Sequence, residues 1–363
     1  MRGTDSKVKS GLSFPEILKP RNASALYLLV IVLVVFGLWI PGLFYSQATF
    51  RLVLSGQVAV GMLAIAILIP FTAGVFDLSV GSMLAFSLVI VSWLGVHSGM
   101  NGILRSVIAV AACAVIGFFS GLVTVKFRVN SFIATLGMSQ VLAAITLFIS
   151  ANQQIVGAFG PTFQNLAQGN WLGIPRATYY LAGLAIITWY VTEWTPLGRN
   201  MFAVGSNTEA ARLAGIHTDR IVIGSLVASA VVAGLAGVVY GAQVATFSNS
   251  YGTPLLFPAF AALFFGSTQF KGRANVWGSM LAVYVLAFGV EGVTLKYEQA
   301  SYWLGPFFDG VSLLIAVAYA SSRGVISIRK RSNELAKTEE PPIPELPFLN
   351  ESEVDSGAGI SAS

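Results

Sequence analysis

Between Ala25 and Ser322, 298 residues carry only 18 charged side chains, 11 basic and 7 acidic, and most of these fall between long apolar runs. A soluble globular chain carries about a quarter charged residues. Here the bilayer is the natural solvent. A membrane-crossing helix takes about 20 mostly apolar residues. Ten stretches meet that need: Ala25–Phe44, Leu52–Phe71, Leu78–Val96, Ile103–Val125, Phe132–Ala151, Tyr179–Thr195, Ile221–Ala245, Leu255–Gln269, Ala274–Leu295 and Trp303–Ser321. The eighth is the weakest, being short and opened by Pro254 and Pro258. In hydrocarbon every backbone polar group must be satisfied internally, which apolar runs of this length achieve as helices. The sequence therefore predicts an all-α membrane protein of about ten transmembrane helices.

Charge sets the orientation. With ten spans and a cytoplasmic N-terminus, 17 of the 21 Lys and Arg residues fall on the cytoplasmic side. Arg51, Arg105, Arg176 and Lys296 remain outside. That bias has the sign the positive-inside rule requires and predicts both termini in the cytoplasm. The first apolar stretch is followed by no small-residue cleavage site, so it reads as a retained span. Three regions follow: a cytoplasmic N-terminal segment, 1–24, a transmembrane domain, 25–321, and a cytoplasmic tail, 322–363. The tail's Pro341-Pro342-Ile343-Pro344 run and Ser/Gly-rich end predict disorder. The longest outer loop, about Asn152 to Thr178, is expected to hold a short interfacial helix, and the longest inner connection runs from Pro196 to Arg220.

The residue inventory excludes several kinds of chemistry. Cys113 is the only cysteine, and His97 and His217 are the only histidines, so one chain builds neither a disulfide nor a Cys/His zinc site. Cys113 sits in an apolar run and reads as a small buried hydrophobe. Charge this sparse argues against a soluble enzyme or a nucleic-acid module, and no base and nucleophile pair stands out, so no catalytic residue and no metal ligand is assigned. Intramembrane carboxylates are few: Asp77, Glu193, Glu291 and Asp309. Glu193 and Asp309 lie near span ends, while Glu291 either lines a cavity or faces Lys296. An ion-driven carrier commonly uses a relay of such groups. The scarcity favours an energy source outside the chain. No Gly-Lys dipeptide occurs, so a phosphate-cradling loop of the Walker type is lacking, and ATP would have to be bound by another subunit. The small-xxx-small pairs Gly117/Gly121 and Gly237/Gly241 favour close helix packing inside one chain over a dimer seam.

The inner connection is the most informative stretch. Asn207 can cap a short helix whose first turn holds Glu209, and Gly215 can end it after about two turns. Ala210, Ala211, Leu213 and Ile216 would then offer a small apolar surface on the cytoplasmic face. On the residues alone this is either a docking element or an ordinary amphipathic connector. Two accounts also fit Asp77: it caps the third helix, or it holds a broken helix beside a pathway where Thr72, Ser79 and Ser82 supply hydroxyls suited to a neutral polyol.

Three segments carry a family resemblance. Gly205-Ser-Asn-Thr-Glu-Ala-Ala-Arg-Leu-Ala-Gly-Ile216 resembles the cytoplasmic coupling loop of ribose-type permeases of ATP-binding cassette importers. Phe76-Asp-Leu-Ser-Val-Gly-Ser82 and Asn130-Ser-Phe-Ile-Ala-Thr-Leu-Gly137 resemble two further signatures of those permeases, which belong to the branched-chain amino acid/ribose permease superfamily. Phe76 departs from the small residue that often precedes the aspartate in that family.

The resemblance implies a multi-pass protein of the bacterial inner membrane that moves a monosaccharide or similar polyol. It implies a cytoplasmic ATP-binding subunit carrying ATP-Mg, a periplasmic sugar-binding protein and a second permease copy or homologue as partners, with membrane lipid around them and no cofactor on this chain. Coupling would fall to Gly205, Asn207, Glu209, Ala210, Ala211, Arg212, Leu213, Gly215 and Ile216. The pathway would involve Thr72, Asp77, Ser79, Ser82, Asn130, Phe132 and Thr135.

Overall fold

The computed structural model describes residues 24–267, 269, 273–297, 303–308, 310–315 and 318. The N-terminal segment, the tail and Asp309 lie outside the described residues, as do the expectations placed on them.

The described residues are mostly helical. In order come α1 (Ser24–Trp39), α2 (Pro41–Phe44), α3 (Gln47–Gly56), α4 (Val58–Thr72), α5 (Val80–His97), α6 (Gly102–Lys126) and α7 (Ser131–Ser150). There follow α8 (Pro161–Gln168), α9 (Arg176–Trp194), α10 (Pro196–Ser206), α11 (Thr208–Leu213), α12 (Thr218–Val244), α13 (Thr253–Ser267) and α14 (Val276–Lys296). A further apolar helical stretch runs Trp303–Ile315. Two-residue strands pair antiparallel at the loops, Ile155–Val156 with Thr246–Phe247 and Asn170–Trp171 with Ile174–Pro175.

Among the described residues six helices are long and apolar enough to cross a membrane: the continuous Gln47–Thr72 unit and α5, α6, α7, α12 and α14. Ala25–Trp39, α13 and Trp303–Ile315 are apolar but shorter. The expected first span, Ala25–Phe44, breaks after Trp39 because Pro41 starts the separate turn α2. In α9, Arg176, Glu193 and three tyrosines dilute the apolar run, and it falls outside both groups.

Burial follows the pattern of side chains. From Val58 to Leu68, α4 is apolar on every face, and every one of these residues is buried. A helix without a polar side has to sit in the middle of a bundle. Against it lies α12, at 27 residues the longest of the described helices, which also packs on α5 and α6. Those seams are built on glycine. A Cβ at Gly117 would come within 2.9 Å of the Leu226 carbonyl oxygen, and one at Gly121 equally close to the Ile223 Cα. At Gly237 a Cβ would meet the Leu84 oxygen at 2.5 Å. Both small-residue pairs thus serve packing within the chain. Replacing Gly237 with Leu is expected to cost about 1–3 kcal/mol through overpacking, read as a lower unfolding temperature in mild detergent.

The connections sort into two ends. At one end Ala25 donates its amide to Gln269 at 2.9 Å, and Arg273 reaches Glu193 at 2.6 Å. At the other, Arg51 donates to the Gly173 carbonyl and Gln243 to that of Ser55, each at 2.9 Å. The short helix expected between Asn152 and Thr178 is α8. Arg105, from α6, pins that loop: it is 5% exposed, donates to the Ala158 carbonyl at 2.6 Å and lies over the rings of Phe159 and Phe163. Lys296 stands over the Trp39 ring at 5.3 Å, so the pairing with Glu291 weighed from sequence gives way to a cation–π contact.

Candidate functional site

Two of the three signature segments meet where α4 ends. Pro70 lies inside the last turn of α4, and Gly74 terminates the helix in a left-handed conformation with φ +80°. The Val75 amide donates to the Pro70 carbonyl and the Gly74 amide to that of Phe71, at 3.1 Å each. This paired closure is a Schellman motif, and glycine at its left-handed position carries no Cβ penalty. The chain then runs unwound to Ser79, where α5 begins.

An unwound segment inside a bundle must find partners for its backbone groups. The second signature segment supplies them. Asn130 caps α7 by accepting from the Phe132 amide at 2.9 Å, which places Ser131 and Thr135 in the first turn and a half. Ser131 Oγ accepts from the Phe76 amide and Thr135 Oγ1 from the Leu78 amide, both at 3.0 Å. Thr135 is fully buried, whereas Asn130 is exposed and Phe132 is 47% exposed. Thr135 thus serves as a strut for the unwound segment, while Asn130 sets the start of the helix that carries it.

Asp77 is 2% exposed and spends both carboxylate oxygens on hydrogen bonds. Oδ1 accepts from the Ser79 amide at 2.9 Å and the Ser79 hydroxyl at 2.6 Å, and Oδ2 from the Ser229 hydroxyl at 2.8 Å. The first pair is a local turn at the mouth of α5. The bond to Ser229 crosses to α12 and exceeds a cap. Thr72 is buried with its hydroxyl on the Ile69 carbonyl at 2.7 Å, and Ser82 is buried. Phe76 packs edge-on to Phe71 at 5.5 Å and beside Phe264 at 6.5 Å, so these rings face one another.

The third signature segment lies directly against this one. Gly205, in the last turn of α10, touches the end of α4. A Cβ built on it would collide with the Thr72 carbonyl oxygen and come within 2.9 Å of the Gly74 nitrogen. A Cβ at Gly74 would stand 2.9 Å from the Gly205 Cα. The two backbones are in contact through paired glycines.

Next in the chain, Asn207 accepts from the Ala210 amide at 3.0 Å and so caps α11. A second Schellman closure ends that helix: Ile216 donates to the Ala211 carbonyl, Gly215 to that of Arg212, with Gly215 at φ +82°. Arg212 lies 4.0 Å from Glu209 and 3.7 Å from Asp219, exposed pairs worth little in stability. Leu213 is 90% exposed, and Glu209 and Ala210 are exposed as well. Ala211 corrects the expectation of a docking side chain: it is 4% exposed and faces the protein body, because the six-residue helix has room for one inward face. Ile216 is half-buried.

Among the described residues no group of three His, Cys, Asp or Glu side chains is arranged to hold a metal ion. Ser131, Ser229 and Gly74 join the site without having been expected, and only Gly74 has a sequence cue, as a glycine following an apolar run.

Comparison with known proteins places the chain in a family. A family model described as the permease component of branched-chain amino acid transport systems matches residues 50–318. The chain is 29% identical over 305 residues to a fructose import permease protein of Rhizobium meliloti, covering 82% of this chain and 84% of the relative. It is 29% identical over 299 residues to the ribose import permease protein of Escherichia coli K12, covering 81% and 91%. An L-arabinose ABC transporter permease protein of Azospirillum brasilense is 28% identical over 315 residues, covering 86% and 83%. No solved structure gives a significant match. With the family model covering residues 50–318, a range that holds all three signature segments and all but the first three residues of the six membrane-length helices, this chain is a multi-pass membrane protein of the branched-chain amino acid transport permease family.

Proposed function

We propose that this chain is the membrane subunit of an ATP-binding cassette importer in the bacterial inner membrane and translocates a monosaccharide or similar small polyol. The observation that carries the reading is the contact between Gly205 and Gly74, which joins an exposed, capped helix to an unwound segment in the bundle. A partner that grips α11 can thereby move the residues around Asp77 as one packed body. The energy comes from ATP-Mg on a separate cytoplasmic subunit docked at Glu209, Ala210, Arg212 and Leu213. Relatives named for ribose, fructose and arabinose import support a sugar as cargo. A periplasmic binding protein delivers it, and a second permease copy or homologue completes the pathway. Ten crossings with both termini cytoplasmic fit the two-ended arrangement of the connections and the distribution of Lys and Arg.

Leu213→Asp tests the docking role. Its side chain is 90% exposed, so the change is expected to alter stability by no more than about 0.5 kcal/mol, as surface substitutions do. It should nevertheless remove the ATPase subunit from a mild-detergent purification and abolish ATP-dependent uptake. Uptake driven by an ion gradient through the chain alone would overturn the importer reading, and competition by branched-chain amino acids would overturn the sugar.

A further inference from the structure

We infer a binding groove for an anionic phospholipid between α9 and α12. The groove holds about 350 Å³ and is walled by Ile187 and Val191 on one side and Gly224, Ala228 and Val231 on the other, with Ile69 of α4 at its floor. Two hydroxyls in its wall are already engaged. Thr192 donates to the Thr188 carbonyl and Ser225 to that of Val222, both at 2.8 Å. Thr188 is the one further hydroxyl in a lining otherwise apolar as far as Arg220, so the groove offers an occupant mainly hydrocarbon contact.

Arg220 stands at one mouth, exposed and without an ion-pair partner among the described residues. Its neighbours account for the acidic groups nearby: Asp219 and Glu209 face Arg212, and Glu193 holds Arg273 at 2.6 Å. From Arg220 to Val232, the lining of α12 rises about 18 Å at 1.5 Å per residue. That is close to the ~15 Å of hydrocarbon in one leaflet. One extended acyl chain matches this length, with its phosphate at the guanidinium. A basic mouth between helices on the cytoplasmic side is suited to an anionic headgroup. The assignment of this end to the cytoplasm rests on the proposed topology, while the groove and its cation do not.

Full-length protein is reconstituted in vesicles of equal parts phosphatidylglycerol and phosphatidylcholine, extracted in mild detergent and weighed by native mass spectrometry. The wild type is expected to retain phosphatidylglycerol in preference. Arg220→Gln should lower that preference about fivefold, the contribution of one cation near a charged membrane surface. Gly224→Leu should displace the lipid altogether. A Cβ at Gly224 meets nothing within 4 Å, so the side chain starts in open space and projects into the groove that Gly224 lines. Arg199→Gln, at an exposed arginine outside the groove, should match the wild type. Equal retention of the two lipids by the wild type, or an unchanged preference in Arg220→Gln, would overturn the assignment. So would a photo-crosslinker at position 224 that captures a second copy of the chain in place of lipid. None of these readings depends on transport or on the identity of the cargo.

Discussion

Substituting valine for Gly205 should separate ATP hydrolysis from uptake. The new side chain would enter a contact already closed by backbone atoms, the Thr72 carbonyl and the Gly74 nitrogen, neither of which can rotate aside. The end of α10 must then stand off from α4 by a fraction of an ångström, while α11, with its own cap at Asn207 and closure at Gly215, keeps its shape. The ATPase subunit should still bind and turn over. Uptake per ATP hydrolysed should fall about tenfold, in the range by which residues linking two sites alter their coupling. Reconstituted complex assayed for both quantities gives the ratio directly. A parallel loss of hydrolysis and uptake, or no change in their ratio, would refute a transmitting role for the contact. Gly205→Ala should show a smaller effect in the same direction.

Removing the Asp77 carboxylate should be the most damaging single change to the fold. In Asp77→Ala, the Ser79 amide and hydroxyl and the Ser229 hydroxyl lose their acceptor together, in a region closed to water. Each buried donor left unmet costs about 1–3 kcal/mol, and the serine hydroxyls recover part of this by turning to carbonyls of their own helices, so a net loss of about 3 kcal/mol is expected. A large drop in the unfolding temperature in detergent, with little folded protein recovered, is the predicted result. Asp77→Asn retains one acceptor but brings an NH₂ group to face hydroxyl donors, and should lie between the two. If Asp77→Ala were as stable as the wild type yet inactive, the carboxylate would belong to transport chemistry and not to the scaffold.

Much of the bundle could be read from the order of side chains because bilayer burial demands long apolar runs, and these stand out against 18 interior charges. The short capped helix α11 was equally readable. Asn207, Glu209 and Gly215 act through local rules of capping and closure, and those rules hold whatever the helix packs against. What could not be read was direction. Ala210 and Ala211 are the same residue one step apart, and only the neighbouring helices decide that Ala211 turns inward. Nor does any spacing connect Asp77 with Ser229, since their bond joins positions 152 residues apart. Ser131 escaped notice for a similar reason: it looks like a residue of a helix start, and its use to hold the Phe76 amide depends on α7 lying beside an unwound segment. Such bonds are properties of the fold as a whole.

Helix α11 reaches the unwound segment by two independent routes. One runs backward along α10 to Gly205 and across to Gly74; the other runs forward into α12 and, three turns along, through Ser229 to Asp77. Together they make a closed four-sided linkage, with α10, α12 and the stretch from Gly74 to Asp77 as three of its bars and α11 as the fourth. In such a linkage no bar turns by itself. If a partner grips α11 as proposed, a tilt imposed there shears the stretch opposite, with the glycine contact as the pivot and the carboxylate as the pin.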